Sequence, residues 1–125
     1  MKKVILSIKP EYAHKIFDGS KHYEFRKAIF KSPEVKKVIV YASYPISKVI
    51  GEFDIESIIH DDIESLWKLT SEFSGITEDF FNTYFSEREK GYAIKVKNPK
   101  KYKNPKILKD EFNIPPPQSF AYVLS

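Results

Sequence analysis

Pro10 and Gly19 bracket a nine-residue stretch, Pro10–Asp18, and that punctuation constrains the fold more than any other feature of the chain. Proline suits the first turn of a helix, where its missing N–H is not needed, and glycine accepts the left-handed backbone that ends one. Between them Tyr12, Ala13, Ile16 and Phe17 recur at helical spacing. A strand should therefore begin near Lys21. Along a strand, side chains two apart share a face, so Tyr23 and Phe25 point one way while His22, Glu24 and Arg26 point the other. One face reads as core and the other carries charge. A carboxylate and a guanidinium two residues apart are neighbours without being forced into contact, so each is open to solvent, to a ligand or to the other.

The rest of the chain supplies strands and helices around this unit. Val4–Lys9 reads as a strand with Val4, Leu6 and Ile8 on one face and Ile5, Ser7 and Lys9 on the other. Lys9 and Lys21 then flank the helix, and two nearby ammonium groups repel unless an anion sits between them. A phosphate or carboxylate ligand would fit there; separate, solvated lysines are the alternative. Lys27–Pro33 reads as a loop, Lys37–Ala42 as a buried central strand and Ser43–Ser47 as another loop. Val49–Ile58 alternates, with Val49, Gly51, Phe53 and Ile55 inward and Glu52, Asp54 and Glu56 outward. Gly51 in mid-strand suggests a bulge or bend. The outward carboxylates are spaced as a solvated strand face, and no metal site or other cofactor is expected. Asp61 or Asp62 should cap a helix burying Ile63, Leu66, Trp67 and Thr70, and Thr77 a second, Glu78–Ser86. Both are expected to pack away from the ligand side. Tyr92–Lys97 reads as a strand, Asn98–Lys106 as a lysine-rich loop, Lys109–Asn113 as a polar turn and Phe120–Leu124 as the last strand.

The spacing Gly19-x-Lys21-x-x-Glu24-x-Arg26 resembles the G-x-K-x-x-E-x-R signature of the ASCH domain, a module of the PUA-like superfamily. Ser7-Ile8-Lys9-Pro10, Tyr41-Ala42-Ser43, Gly51-Glu52-Phe53, Gly91-Tyr92-Ala93-Ile94 and Pro116-Pro117-Gln118-Ser119-Phe120 resemble further blocks of small microbial ASCH proteins, in the same order. The resemblance spans nearly the whole chain. It implies an α+β fold, a PUA-like small β-barrel of about five to six strands with peripheral helices, forming one domain over residues 1–125. It also implies a cleft lined by Lys9, Lys21, Glu24, Arg26, Ser43, Gln118 and Ser119. There Ser43 would donate a hydrogen bond, whereas the sequence alone favours a turn serine serving its own backbone.

Charge bears on the partner. Residues 1–49 carry 11 lysines and arginines against 4 acids, residues 50–89 carry 2 against 11, and residues 90–125 carry 8 against 2. Such a layout can fold into a molecule with one positive face, as nucleic-acid binders have, or the blocks can pair with each other. From Lys95 to Lys109 there are seven lysines and no acid. Within that run Lys100, Lys101 and Lys103 could neutralise phosphates while Tyr102 stacks on a base. The chain has no cysteine, which excludes disulfides and thiolate zinc sites, and it fits a cytoplasmic protein. Val4–Ile8 is too short an apolar run for a signal peptide or membrane span, so no membrane partner is expected. His14, His22 and His60 are scattered, and no phosphate-binding glycine loop, dinucleotide fingerprint or nucleophile elbow is present.

Three functions remain. The first is a binding module for RNA or a nucleotide, in which Arg26 and the lysines hold phosphates and Glu24 accepts from an exocyclic amine. The second is an enzyme. Small bacterial ASCH-like amidohydrolases remove the acetyl group from acetylcytidine with a catalytic Lys, Thr and Glu; Lys21 matches their lysine, but Glu24 stands where they have threonine. A Lys21–Glu24 pair could still activate a water, and a ribonuclease of this family would add a base, with His22 the nearest candidate. The third is a protein-interaction module using the aromatic helix, through Phe81 and Phe85.

Overall fold

The computed structural model describes residues 2–124. Its elements run β1 (Lys2–Ile8), α1 (Pro10–Asp18), β2 (Tyr23–Arg26), β3 (Lys37–Ala42), β4 (Lys48–Asp62), α2 (Ile63–Thr70), a 3-10 turn (Ser71–Phe73), α3 (Glu78–Tyr84), β5 (Lys90–Lys106), α4 (Leu108–Phe112) and β6 (Phe120–Leu124). The six strands form one mixed sheet in the order β2-β5-β4-β3-β1-β6. β1 and β3 are parallel, with Val4 opposite Val38, and the other pairs are antiparallel. α1 ends as its glycine requires: Gly19 has φ +88° and its N–H donates to Ile16 O.

This α+β fold is the one expected, but the barrel is not closed. β2 and β6, at the two ends of the strand order, share no ladder. Instead Arg26 on β2 reaches the residue before β6, donating from Nη2 to Ser119 O at 3.0 Å and to Ser119 Oγ at 2.7 Å. The sheet therefore curls until its edges meet through a side chain. With only four residues in β2, no ladder seals the seam towards β1, and that seam opens as a cavity.

Alternation along the strands divides the core. Val4, Leu6 and Ile8 pack with Val38, Val40, Phe53 and α1 on one face, while Ile5, Ile39, Tyr41 and Val49 pack against Leu108 on the other. A third cluster, Phe25, Leu66, Phe81, Phe85 and Ala93, sits beneath α2 and α3. The helix caps are the expected ones: Asp62 Oδ1 accepts from Ser65 N at 2.9 Å and Thr77 Oγ1 from Phe80 N at 3.1 Å. No helix among the described residues is long and apolar enough to cross a membrane.

Two stretches differ from expectation. Asn98–Lys106 is not a loop but the second half of β5. Its two prolines signal a loop only where both edges of a strand are paired. β2 pairs β5 as far as Lys95 and Val96 N still donates to His22 O, but past Val96 only β4 pairs with the strand, so a missing N–H on the free side costs little. Lys109–Asn113 is largely the short helix α4, closed by Asn113 at φ 54°.

Candidate functional site

Lys21 lies at the base of the seam, and local packing puts it there. Its N–H donates to Lys15 O at 3.0 Å, just past α1, and His22 N donates to Phe73 O at 2.8 Å. The segment after α2 thus lies across the motif. Gly75, at φ +72°, lets that segment approach, since a Cβ there would meet Lys21 Cβ and Cγ at 2.6 Å. The side chain, 2% exposed, ends with Nζ donating to Ser74 O at 2.7 Å and lying 4.9 Å from the Phe25 ring centre and 5.5 Å from that of Tyr12. Burial pulls its pKa down from 10.5 to about 8, with the Glu24 charge opposing that shift and Lys15 adding to it.

Glu24 and Arg26 pair with each other at 3.2 Å, Arg26 Nη1 to Glu24 Oε2, and both side chains are largely removed from water. Arg26 Nη1 also reaches Ser7 O at 3.4 Å, so with Ser119 on Nη2 both terminal nitrogens are engaged. Arg26 is thereby a clasp more than a free cation. The cavity beside these groups has a volume of about 220 Å³ and is lined by Ser7, Ile8 and Lys9 at the end of β1, Tyr12 of α1, Lys21, Glu24, Phe25 and Arg26, and Ile76, Phe80 and Tyr84. That is below the roughly 300–1,000 Å³ of pockets for drug-sized ligands, so it has room for a small group only. Chemically it offers two ammonium groups, one carboxylate and several aromatic faces.

Of the expected site residues, the fold brings Lys9, Lys21, Glu24 and Arg26 to one cavity and adds Ser119 through Arg26. Ser43 is not among the lining residues; its N–H donates to Ile8 O and its carbonyl accepts from Ile46 and Ser47, as a turn serine does. Gln118 is exposed and also outside the lining. Lys100, Lys101 and Lys103 are exposed on β5, where Lys100 pairs with Glu52 and Lys101 with Gly51 in the ladder. Tyr102 is half-buried against the Ile5–Ile39–Tyr41 cluster and donates to Glu52 Oε1 at 2.8 Å, so its ring is engaged in packing and is not free to stack. His22 stacks on Phe73 with ring centres 4.4 Å apart and its Nε2 lies 2.9 Å from Gly19 O, outside the cavity lining.

α3 corrects another expectation. It does not turn away from the ligand side: Phe80 and Tyr84, one turn apart, wall the cavity. Phe81 and Phe85, the candidate partner contacts, are instead 0% and 2% exposed. Tyr12, Phe80 and Tyr84 are among the lining residues that sequence reasoning missed as such. Their helical spacing marks a packed stripe but does not say what packs on it.

Some charged groups elsewhere are paired. Lys37 bridges Glu52 at 2.7 Å and Asp54 at 3.1 Å, and Lys95 meets Glu56 at 2.9 Å. Part of the acidic block is thus matched by basic residues on neighbouring strands.

The chain is similar to known proteins over most of its length. The model of the ASCH domain matches residues 6–106. The ASCH domain-containing ribonuclease of Zymomonas mobilis is 30% identical over 125 residues, covering 98% of this chain and 84% of that protein. Large ribosomal subunit protein uL22 of Ureaplasma parvum is 33% identical over 123 residues, 96% of this chain, but the match spans only 39% of that protein. The crystal structure of ASCH from Zymomonas mobilis superposes with a TM-score of 0.89 at 29% identity, covering 98% of this chain and 87% of that one.

Proposed function

The chain belongs to the ASCH domain family, and from that premise we propose that the seam between β1 and β2 is a binding site for single-stranded RNA. The observation that carries this reading is a buried ammonium, Lys21, facing an aromatic-walled cavity with a second lysine, Lys9, exposed at its mouth. Cations meet phosphates and aromatic faces meet bases, which is the combination single strands require. A duplex keeps its bases stacked and offers no unit of the right size. In this reading Arg26 acts by holding Glu24 and the β6 end in place, and Lys100, Lys101 and Lys103 form a second track for flanking backbone.

RNA cleavage is the second reading. The relative from Zymomonas mobilis is named a ribonuclease, and an amine with a pKa of about 8 can both give and take a proton near neutral pH. Lys21 is then the proton-transfer group, with Glu24 beside it. The test follows short single-stranded and duplex RNA by fluorescence anisotropy and on gels, with acetylcytidine as a turnover control. Lys21→Ala and Lys9→Ala are expected to weaken single-strand binding, and Lys21→Ala to abolish any cleavage. Equal affinity for duplex, or binding untouched by Lys21→Ala, would overturn the site; acetate release would favour an amidohydrolase instead.

A further inference from the structure

Lys21 is buried, lines the cavity and, among the described residues, forms no ion pair; Glu24 is paired with Arg26 instead. Its Nζ meets the Ser74 carbonyl and the faces of Phe25 and Tyr12. The shaft is held along its length, since a Cβ on Gly75 would lie 2.6 Å from Lys21 Cβ and Cγ and 3.0 Å from Cδ. A carbonyl and two rings compensate only part of the cost of desolvating an ammonium, and a neutral amine suits the same surroundings better. A lysine desolvated in this way is a nucleophile. Two more ammonium groups stand on the walls: Lys9 Nζ is 5.9 Å from the Phe80 ring centre and Lys27 Nζ 5.0 Å from that of Tyr84. Both lysines are exposed, and neither forms an ion pair among the described residues. A fixed amine thus faces space for a small group, with two cations at hand for an anion.

We propose that Lys21 forms an imine with a small aldehyde that carries a phosphate, the aldehyde entering the cavity and the phosphate meeting Lys9 and Lys27. This goes beyond the RNA reading and does not depend on it. In the step, the neutral Nζ adds to the carbonyl carbon. The carbonyl oxygen then leaves as water with the two amine hydrogens, and the new N–C bond becomes double, with nothing oxidised or reduced. Ser74 O, which accepts from Nζ, holds the amine in place for the addition. Two sources supply this chemistry. One is a free sugar phosphate in its open form. The other is a strand that has lost a base, whose opened sugar exposes an aldehyde between two phosphates. An intact strand presents no aldehyde, so it occupies the site without reacting.

The test incubates the wild-type protein near neutral pH with glycolaldehyde phosphate, with glycolaldehyde, or with single-stranded RNA carrying one abasic position. Borohydride then reduces any imine to a stable amine, and peptide mass mapping identifies the linked residue. With glycolaldehyde phosphate, Lys21 is expected to be labelled at least about tenfold faster than the exposed lysines, because far more of it is neutral. Its rate should level off above about pH 8, where that of an exposed lysine still climbs. Lys21→Met should lose the fast adduct, and Lys9→Ala should slow the phosphate-bearing probe more than the bare aldehyde. Faster linkage to the abasic strand than to glycolaldehyde phosphate would assign the strand as the source, and the reverse the free sugar phosphate; either supports the proposal. Label spread over exposed lysines with Lys21 untouched would overturn it, as would glycolaldehyde reacting at Lys21 as fast as its phosphate. Neither failure alters the binding of intact single strands, which tests the RNA site separately.

Discussion

Lys21 shows how one side chain can carry a cost that pH removes. Its ammonium is disfavoured by burial, so its folded pKa, about 8, lies below the unfolded value near 10.5. Below about pH 8 both states hold the proton and the folded chain bears the full cost. Between about 8 and 10.5 the unfolded chain holds a proton that the folded one has released, so stability rises with pH, by up to ~3 kcal/mol. Urea unfolding of wild type and Lys21→Met at pH 7 and pH 10.5 should show the difference moving in favour of wild type as pH rises. A pH-independent difference would mean that the amine is not buried as described. Gly75→Ala tests the same packing from the other side. A methyl group against the Lys21 shaft, on a backbone at φ +72°, should destabilise by about 1–3 kcal/mol in the same assay.

Elements were legible where their signals are local. Proline and glycine mark α1, a β-branched run marks β3, and alternation marks β1, and each runs within a residue or two of the expected bounds. The second half of β5 was not legible, because whether proline breaks a strand depends on which edge is paired. Tyr102 followed from that error: as a loop residue it was free to stack, but as a strand residue it belongs to Glu52. Tyr102→Phe should cost ~1 kcal/mol, read by thermal or urea unfolding, because it removes the donor to a half-buried carboxylate. The bulge or bend expected at Gly51 is present, since the ladder shifts register around it with both neighbouring strands. The reason is closer than twist alone: a Cβ there would lie 2.6 Å from Lys100 O and 2.4 Å from the Phe17 ring. Gly51→Ala is therefore expected to lose about 1–3 kcal/mol, or to displace Phe17 from α1 in a crystal structure.

At the scale of the molecule, the site is a product of convergence. The motif supplied Lys21, Glu24 and Arg26, but the cavity also needs the end of β1, the side of α1 and the turn of α3, which meet only in the fold. No spacing rule reaches from Tyr12 to Tyr84. The seam and the site are also one feature, because the place where the sheet fails to zip is where a ligand can enter. Arg26 is the only described side chain seen to join β2 to the approach of β6, so Ser119→Ala should weaken that join by ~1 kcal/mol and speed amide exchange in β6. A consequence follows for where the domain can be cut. A fragment ending at Lys106, the limit of the family match, would lose β6 and leave Val4–Leu6 as a bare apolar edge. Such an edge pairs with whatever strand it meets, so the fragment should self-associate, exchanging its missing strand with neighbours while losing the grip on Arg26 that shapes the cleft.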